Sequence, residues 1–158
     1  MSEFIIETEE FNIRKVMDSD YEAFGKIAVA EYLFGRMYEI DPKLAKKVYW
    51  DTIVTADKDI NYAVITKDND LIGRVALQGI DMDVPELAIV IVKDYQGKGY
   101  GEKIIRAWLS WVYETMGYCR INIKIDCQNC RSIRLFQKLG AIVDHDDGSE
   151  VECHIILQ

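Results

Sequence analysis

An unbroken apolar run, Leu87 to Val92, is followed by Gln96-Gly97-Lys98-Gly99-Tyr100-Gly101 and then by apolar residues at four-residue spacing, Ile104, Trp108, Val112 and Met116. The run reads as a strand buried on both faces, and the periodic stretch reads as a helix that packs on a sheet. Three glycines in six residues let the backbone turn sharply between them and come close to a ligand. Free N–H groups of the first helical turn, the helix dipole and Lys98 then offer a seat for phosphate oxygens. A Walker loop is excluded, because no Gly-Lys-Ser/Thr follows at the required spacing. A Rossmann turn does not suit the antiparallel strands that precede it.

The remaining signals alternate without a linker, repeat or low-complexity stretch, so residues 1–158 read as a single domain. Phe11 to Val16 reads as a first strand. Ser19 with Glu22 three residues later fits a capping box that opens a helix through about Phe34. Asp41-Pro42 opens a second helix. Asn61 to Thr66 and Leu71 to Ile80 form a hairpin about Asp68-Asn69-Asp70. Arg120 to Asp126 is a strand, Cys130 to Leu139 a helix closed by Gly140, and Ala141 to Asp144 with Val151 to Leu157 a terminal hairpin turned at Asp147-Gly148. The order is mixed α/β.

Net charge is −8, which argues against a nucleic-acid partner. The charge is uneven, however. Lys93 to Lys138 holds nine basic and four acidic residues, and the remainder ten basic and twenty-three acidic. An anionic ligand on one part and a cationic one on the other would fit that division. No apolar run approaches the roughly 20 residues of a membrane-spanning helix, so no membrane role is expected. The start, Met1 to Phe11, carries four Glu and no basic segment, unlike a secretory signal. The four cysteines are then expected to stay reduced in a cytoplasm.

The stretch Glu86 to Gly101 resembles the acetyl-CoA-binding signature of the GNAT superfamily of N-acetyltransferases, whose turn reads Gln/Arg-x-x-Gly-x-Gly/Ala. Gly117 to Gly140, with Asn129, Ser132 and Lys138-Leu139-Gly140, is similar to that family's Asn-x-x-Ser/Ala segment, in wording closest to the ribosomal-protein and spermidine acetyltransferase branch. With Ile72-Gly73, the similarity covers about residues 10 to 158. The resemblance implies a mixed, mostly antiparallel sheet with about four helices, whose fourth and fifth strands splay to admit the pantetheine arm of acetyl-CoA. It implies arm contacts at Ile91, Val92, Asn129 and Phe136. Pyrophosphate would be held at Gln96, Gly97, Lys98, Gly99, Tyr100, Gly101 and Glu102, and nucleotide phosphates by Lys138 and Arg134. It allows a homodimer.

An N-acetyltransferase of this kind moves acetyl to a primary amine by direct attack through a tetrahedral intermediate. The amine is a small molecule, a polyamine or a protein N-terminus. An alkylammonium at pH 7 costs roughly 4.6 kcal/mol to deprotonate, so a base is needed more than for an α-amine. Glu86, at the start of the strand entering the cofactor site, is the candidate base. Many family members place a Tyr proton donor where this chain has Phe136, and Ser132 one turn earlier is the substitute. That departure keeps open a second reading, a catalytically weak acetyl-CoA sensor or scaffold. Acidic residues of the first helices, Glu22, Glu31, Glu39 and Asp41, are candidates for the acceptor side. Cys127 and Cys130 form a C-x-x-C, but no metal is expected, and His145 and His154 read as packing or solvent residues.

Overall fold

A computed structural model describes residues 3–35 and 41–158, with the backbone alone for residues 32–35. Eight strands form one sheet: β1 (Phe4–Glu7), β2 (Phe11–Lys15), β3 (Asp59–Thr66), β4 (Leu71–Gln78), β5 (Glu86–Ile91), β6 (Arg120–Asp126), β7 (Ile142–Asp146) and β8 (Glu150–Ile156). Four α-helices accompany them: α1 (Phe24–Gly35), α2 (Pro42–Tyr49), α3 (Tyr100–Trp111) and α4 (Cys130–Lys138). The spatial order is β1-β2-β3-β4-β5-β6-β8-β7. Every pairing is antiparallel except β5 with β6. β1 lies ahead of the strand expected to be first, so the splayed pair is β5 and β6 here.

The helices sit on opposite faces. Tyr62 of β3 meets Trp108 and Trp111 of α3, with ring centroids 5.1 and 5.6 Å apart. Its neighbour Asn61 faces the other way, where its Oδ1 accepts from Arg74 Nε of β4 at 2.6 Å, and Arg74 in turn reaches Tyr49 of α2. The alternation of β3 therefore separates α3 from α2. Gly73 lets β4 and β5 approach closely, since a Cβ there would lie 2.9 Å from the Val90 carbonyl oxygen.

The Asp41-Pro42 start forms as read, with the Asp41 carboxylate accepting from the Lys43 N–H at 2.9 Å. The Ser19–Glu22 capping box does not. Asp20 takes over the turn, because it can reach both the Met17 N–H, at 2.8 Å, and the Arg14 guanidinium, at 2.8 and 2.9 Å. Residues 18–20 form a short 3₁₀ turn and α1 starts only at Phe24. Glu22 is left to pair with Lys46.

β5 and β6 share one register pair, Glu86 opposite Asn122, closed by the Asn122 N–H donating to the Pro85 carbonyl at 3.0 Å. Each strand is committed elsewhere: β5 makes six pairs with β4, and β6 makes seven with β8. Sheet twist then opens a gap between them toward their C-terminal ends. Ala88 to Ile91 are consequently only half-buried, which corrects the expectation of a strand covered on both faces.

Burial alone would push the Asp20 carboxyl up, but hydrogen bonds from Arg14 and the Met17 N–H, with the Arg14 charge, outweigh it and hold the pKa below the usual carboxylate value. A depressed folded pKa contributes stability above the unfolded value, about 3.9, and that stability is lost as pH falls through the folded one. Asp20→Ala should cost about 3 kcal/mol in urea unfolding at pH 7, because it leaves Arg14 buried and unpaired. The loss should shrink as the pH is lowered below about 4.

Candidate functional site

The gap between β5 and β6 is the mouth of a groove of about 1290 Å³, lined by β5, the second half of β6, the glycine turn and the inner side of α4. Its floor is apolar backbone. The Val92 N–H donates to Ile72 of β4 at 2.9 Å, so by the period of two Ala88 and Val90 also turn their main-chain groups to β4. Ile89 and Ile91 turn theirs to the gap. The Gln96 side chain donates to the Ile91 carbonyl at 2.8 Å, leaving the Ile91 N–H and both Ile89 groups facing it. Val92 is placed differently from the expectation: its N–H is used on β4 and its carbonyl accepts from Tyr95 at 3.0 Å. It is buried and does not line the groove.

At the open end, Gly97 and Gly99 have φ of +73° and +83°, which a side chain would strain. Gly99 directly precedes α3, and the first N–H groups of that helix, on Tyr100, Gly101 and Glu102, point outward without intrahelical partners. Lys98 is exposed, with Nζ 5.7 Å from the Tyr95 ring centre, and Tyr95 and Tyr100 meet edge to face. Arg131 was not singled out in the sequence. It stands in the first turn of α4 with its guanidinium against Gly97, 3.8 to 4.0 Å from where a Cβ would sit. Nothing in its local sequence reveals this, because the contact joins two turns that meet only in the folded chain.

Lys138 and Glu102 also meet across the groove, at 2.8 Å, and Glu102 accepts from Arg106 as well. These bonds hold the Glu102 carboxyl below its ordinary pKa. The expected phosphate-facing Lys138 is thus tied to the first turn of α3, while exposed Arg134 lines the groove. Asn129 caps α4 by accepting from the Ser132 N–H at 3.2 Å. Ser132 and buried Phe136 lie along the same wall.

At the closed end, Glu86 shares the face of its register partner Gln78, on the α1 side of the sheet. Burial raises its carboxyl pKa. Lys124 Nζ, 3.9 Å away, opposes the rise, and Glu150, Glu152 and Asp59 add to it. Among the described acceptor-side candidates only Glu31 reaches the groove, since Glu22 pairs with Lys46 and Asp41 caps α2; Glu39 lies outside the described residues. The Tyr49 hydroxyl donates to Glu31, and Arg74 Nη1 stands 3.6 Å from the same carboxylate oxygen.

The cysteines do not converge. Cys127 donates to the Gly148 carbonyl at 3.0 Å, Cys130 is exposed at the groove, Cys119 is exposed, and burial raises the thiol pKa of Cys153. Among the described residues no group of His, Cys, Asp and Glu is placed to hold a metal ion. His154 pairs with Asp144 at 2.8 Å. Among the described residues no helix is long and apolar enough to cross a membrane.

A family model described as an acetyltransferase (GNAT) domain matches residues 10–142. An uncharacterized protein of Methanocaldococcus jannaschii is 24% identical over 138 residues, 85% of this chain and 28% of that protein, so the chain spans little more than a quarter of the curated relative's length. Among solved structures, a chimera of the spermidine N-acetyltransferase SpeG from Vibrio cholerae and hSSAT superposes with a TM-score of 0.75 at 16% identity, over 93% of this chain and 95% of the other. A dodecameric structure of spermidine N-acetyltransferase from Vibrio cholerae gives 0.73 at 18%, over 95% of each. At such identities the likeness shows the fold.

Lys124→Met removes the charge that opposes the effect of burial on Glu86. Carboxyl-carbon NMR titration should show Glu86 above the ordinary glutamate range in the native protein and higher still in the variant.

Proposed function

The chain belongs to the GNAT acetyltransferase family, and on that premise we propose that it moves an acetyl group from acetyl-CoA to a primary amine. The single observation that carries the reading is continuity: free main-chain groups of Ile89 and Ile91 along a parted strand lead to the positive-φ glycine turn beside Arg131. Such a groove fits an extended amide-bearing arm ending in a diphosphate. The arm would replace the missing ladder partner of β5, and the diphosphate would meet the N–H groups from Gly97 to Glu102. Arg131 supplies a charge suited to phosphate. Acetyl-CoA would bring an acyl carbonyl already activated as a thioester.

The chain's own residues then have two tasks. The N–H groups of Ile89 and Ile91 are fixed donors aimed into the gap, able to hold the arm and to stabilise charge growing on the carbonyl oxygen. Glu86, at the end where the strands close, takes a proton from the incoming ammonium, and its raised pKa brings it nearer to neutrality, where a general base works best. Phe136 packs beside the arm and has no proton to give. A thiol with pKa about 8.5 leaves as thiolate at modest cost, so solvent or the Ser132 hydroxyl can supply that proton afterwards. Four unpaired thiols suit a reducing, cytoplasmic setting.

Thiol release from acetyl-CoA over a panel of amino acids, polyamines, aminoglycosides and short peptides tests the reading. Release above the hydrolysis blank supports it. Acetyl-CoA binding with no release for any amine would leave the sensor or scaffold reading that Phe136 favours.

Gly99→Asp places a carboxylate and a strained backbone at the diphosphate seat and should weaken acetyl-CoA binding more than a hundredfold by calorimetry. Arg131→Ala should weaken it about tenfold, one charge-assisted hydrogen bond. Glu86→Gln should lower kcat/KM about a hundredfold for alkyl amines and much less for α-amines. Because the base acts deprotonated, the rate of the native enzyme should rise with pH through the raised pKa of Glu86, and that acid limb should vanish in the variant.

A further inference from the structure

Arg74 is fully buried in the middle of β4, a position where an apolar residue would pack at lower cost. Its guanidinium faces α1 and α2: Nε donates to Asn61 Oδ1 at 2.6 Å, and Nη1 donates to the Tyr49 hydroxyl at 3.0 Å. The Tyr49 hydroxyl in turn donates a hydrogen bond to Glu31 Oε2, which Arg74 Nη1 also approaches at 3.6 Å. Burial, first of all, pushes the Tyr49 hydroxyl well above its ordinary pKa, so it stays a donor. The chain of contacts runs from the sheet interior to one carboxylate oxygen on the wall of the groove. Among the described residues no partner holds the other oxygen, Oε1, and the Glu31 side chain is about a third exposed.

We infer that Glu31 positions the acceptor, docking a second positive charge that the acceptor carries apart from the reacting amine. The inference rests on the proposed amine acetylation and names its substrate class, aliphatic amines with a further ammonium or guanidinium group. An ionised carboxylate only accepts hydrogen bonds, so its natural partner is a cationic donor. That partner is not the reacting nitrogen. The reacting amine must lose its proton before it attacks, and an anion braced by Arg74 and Tyr49 stabilises an ammonium instead. Glu86, at the closed end of the groove and set in acidic surroundings, is the one suited to take the proton. Two carboxylates lining one groove thus divide the work, one binding charge and the other removing it. Tyr49 and Arg74 are positioning residues. They fix a side chain that would otherwise lose rotamer freedom on binding.

Pentane-1,5-diamine and pentylamine share one carbon chain and differ by the second ammonium. The native protein should show about tenfold or greater preference for the diamine in kcat/KM. In Glu31→Gln that ratio should fall to about one, the loss lying in the diamine KM rather than in kcat. Tyr49→Phe keeps the ring and should lower the ratio part of the way, with thermal unfolding of both variants recorded to separate a folding defect. No preference in the native protein, or a preference that survives Glu31→Gln, overturns the inference. Calorimetry of the diamine against CoA-saturated protein separates it from the proposed activity. Glu31-dependent binding without thiol release upholds the docking site and refutes acetylation, whereas release without Glu31 dependence does the reverse. Absence of both refutes both.

Discussion

Everything at the site depends on the fact that β5 and β6 are paired at one end only. The Asn122–Pro85 hydrogen bond and the Glu86–Asn122 register pair close the apex, and beyond it each strand belongs to its other neighbour. An unmade stretch of ladder exposes main-chain donors and acceptors, which are costly to leave unpaired away from water. The groove keeps them beside solvent and beside apolar side chains, a surface matched to an extended ligand with amide groups of its own. The same parting leaves the apolar residues Ala88 to Ile91 half-exposed.

Charge is distributed around that opening by height. At its wide end, the helix-terminal N–H groups and Arg131 gather positive charge, and the Glu102–Lys138 pair braces α3 against α4 there. At its narrow end the sign reverses, with Glu86 among Glu150, Glu152 and Asp59, tempered by Lys124. Glu31 adds a second negative group on the α1 wall. A ligand that is anionic at one end and meets a cationic partner at the other would find both ends matched, which agrees with acetyl transfer to an amine. The buried Arg74 and Tyr49 explain how a surface carboxylate of α1 acquires a fixed direction.

The local elements were largely legible in the amino-acid sequence. Asp41-Pro42, the turn at Asn69, the α3 stripe that buries Ile104, Ile105 and Trp108, and the terminal hairpin all depend on neighbours a few residues apart, where propensity and period carry the information. The Ser19–Glu22 capping box failed because a nonlocal partner, Arg14 on β2, drew Asp20 into the cap instead. Strand β1 was missed, since Phe4–Glu7 is short and becomes a strand by pairing with β2.

Among the candidate site residues, the local geometry of the glycine turn and of Asn129 was legible because each carries it in its own residue type: positive φ for glycine, an N-cap for asparagine. Chain order alone also distinguished Glu86 at the entry to the apolar strand. Tertiary structure decided the rest. Which of Ile91 and Val92 turns its main chain to the gap depends on the β4–β5 register. Arg131 reaches Gly97 only because α4 folds back over the turn, and the Glu31 carboxylate is held by Arg74 and Tyr49, residues 43 and 18 positions away in the chain. Period and propensity report what a segment does with itself. Hydrogen-bond direction, burial and charge pairing between distant segments exist only once the sheet has assembled.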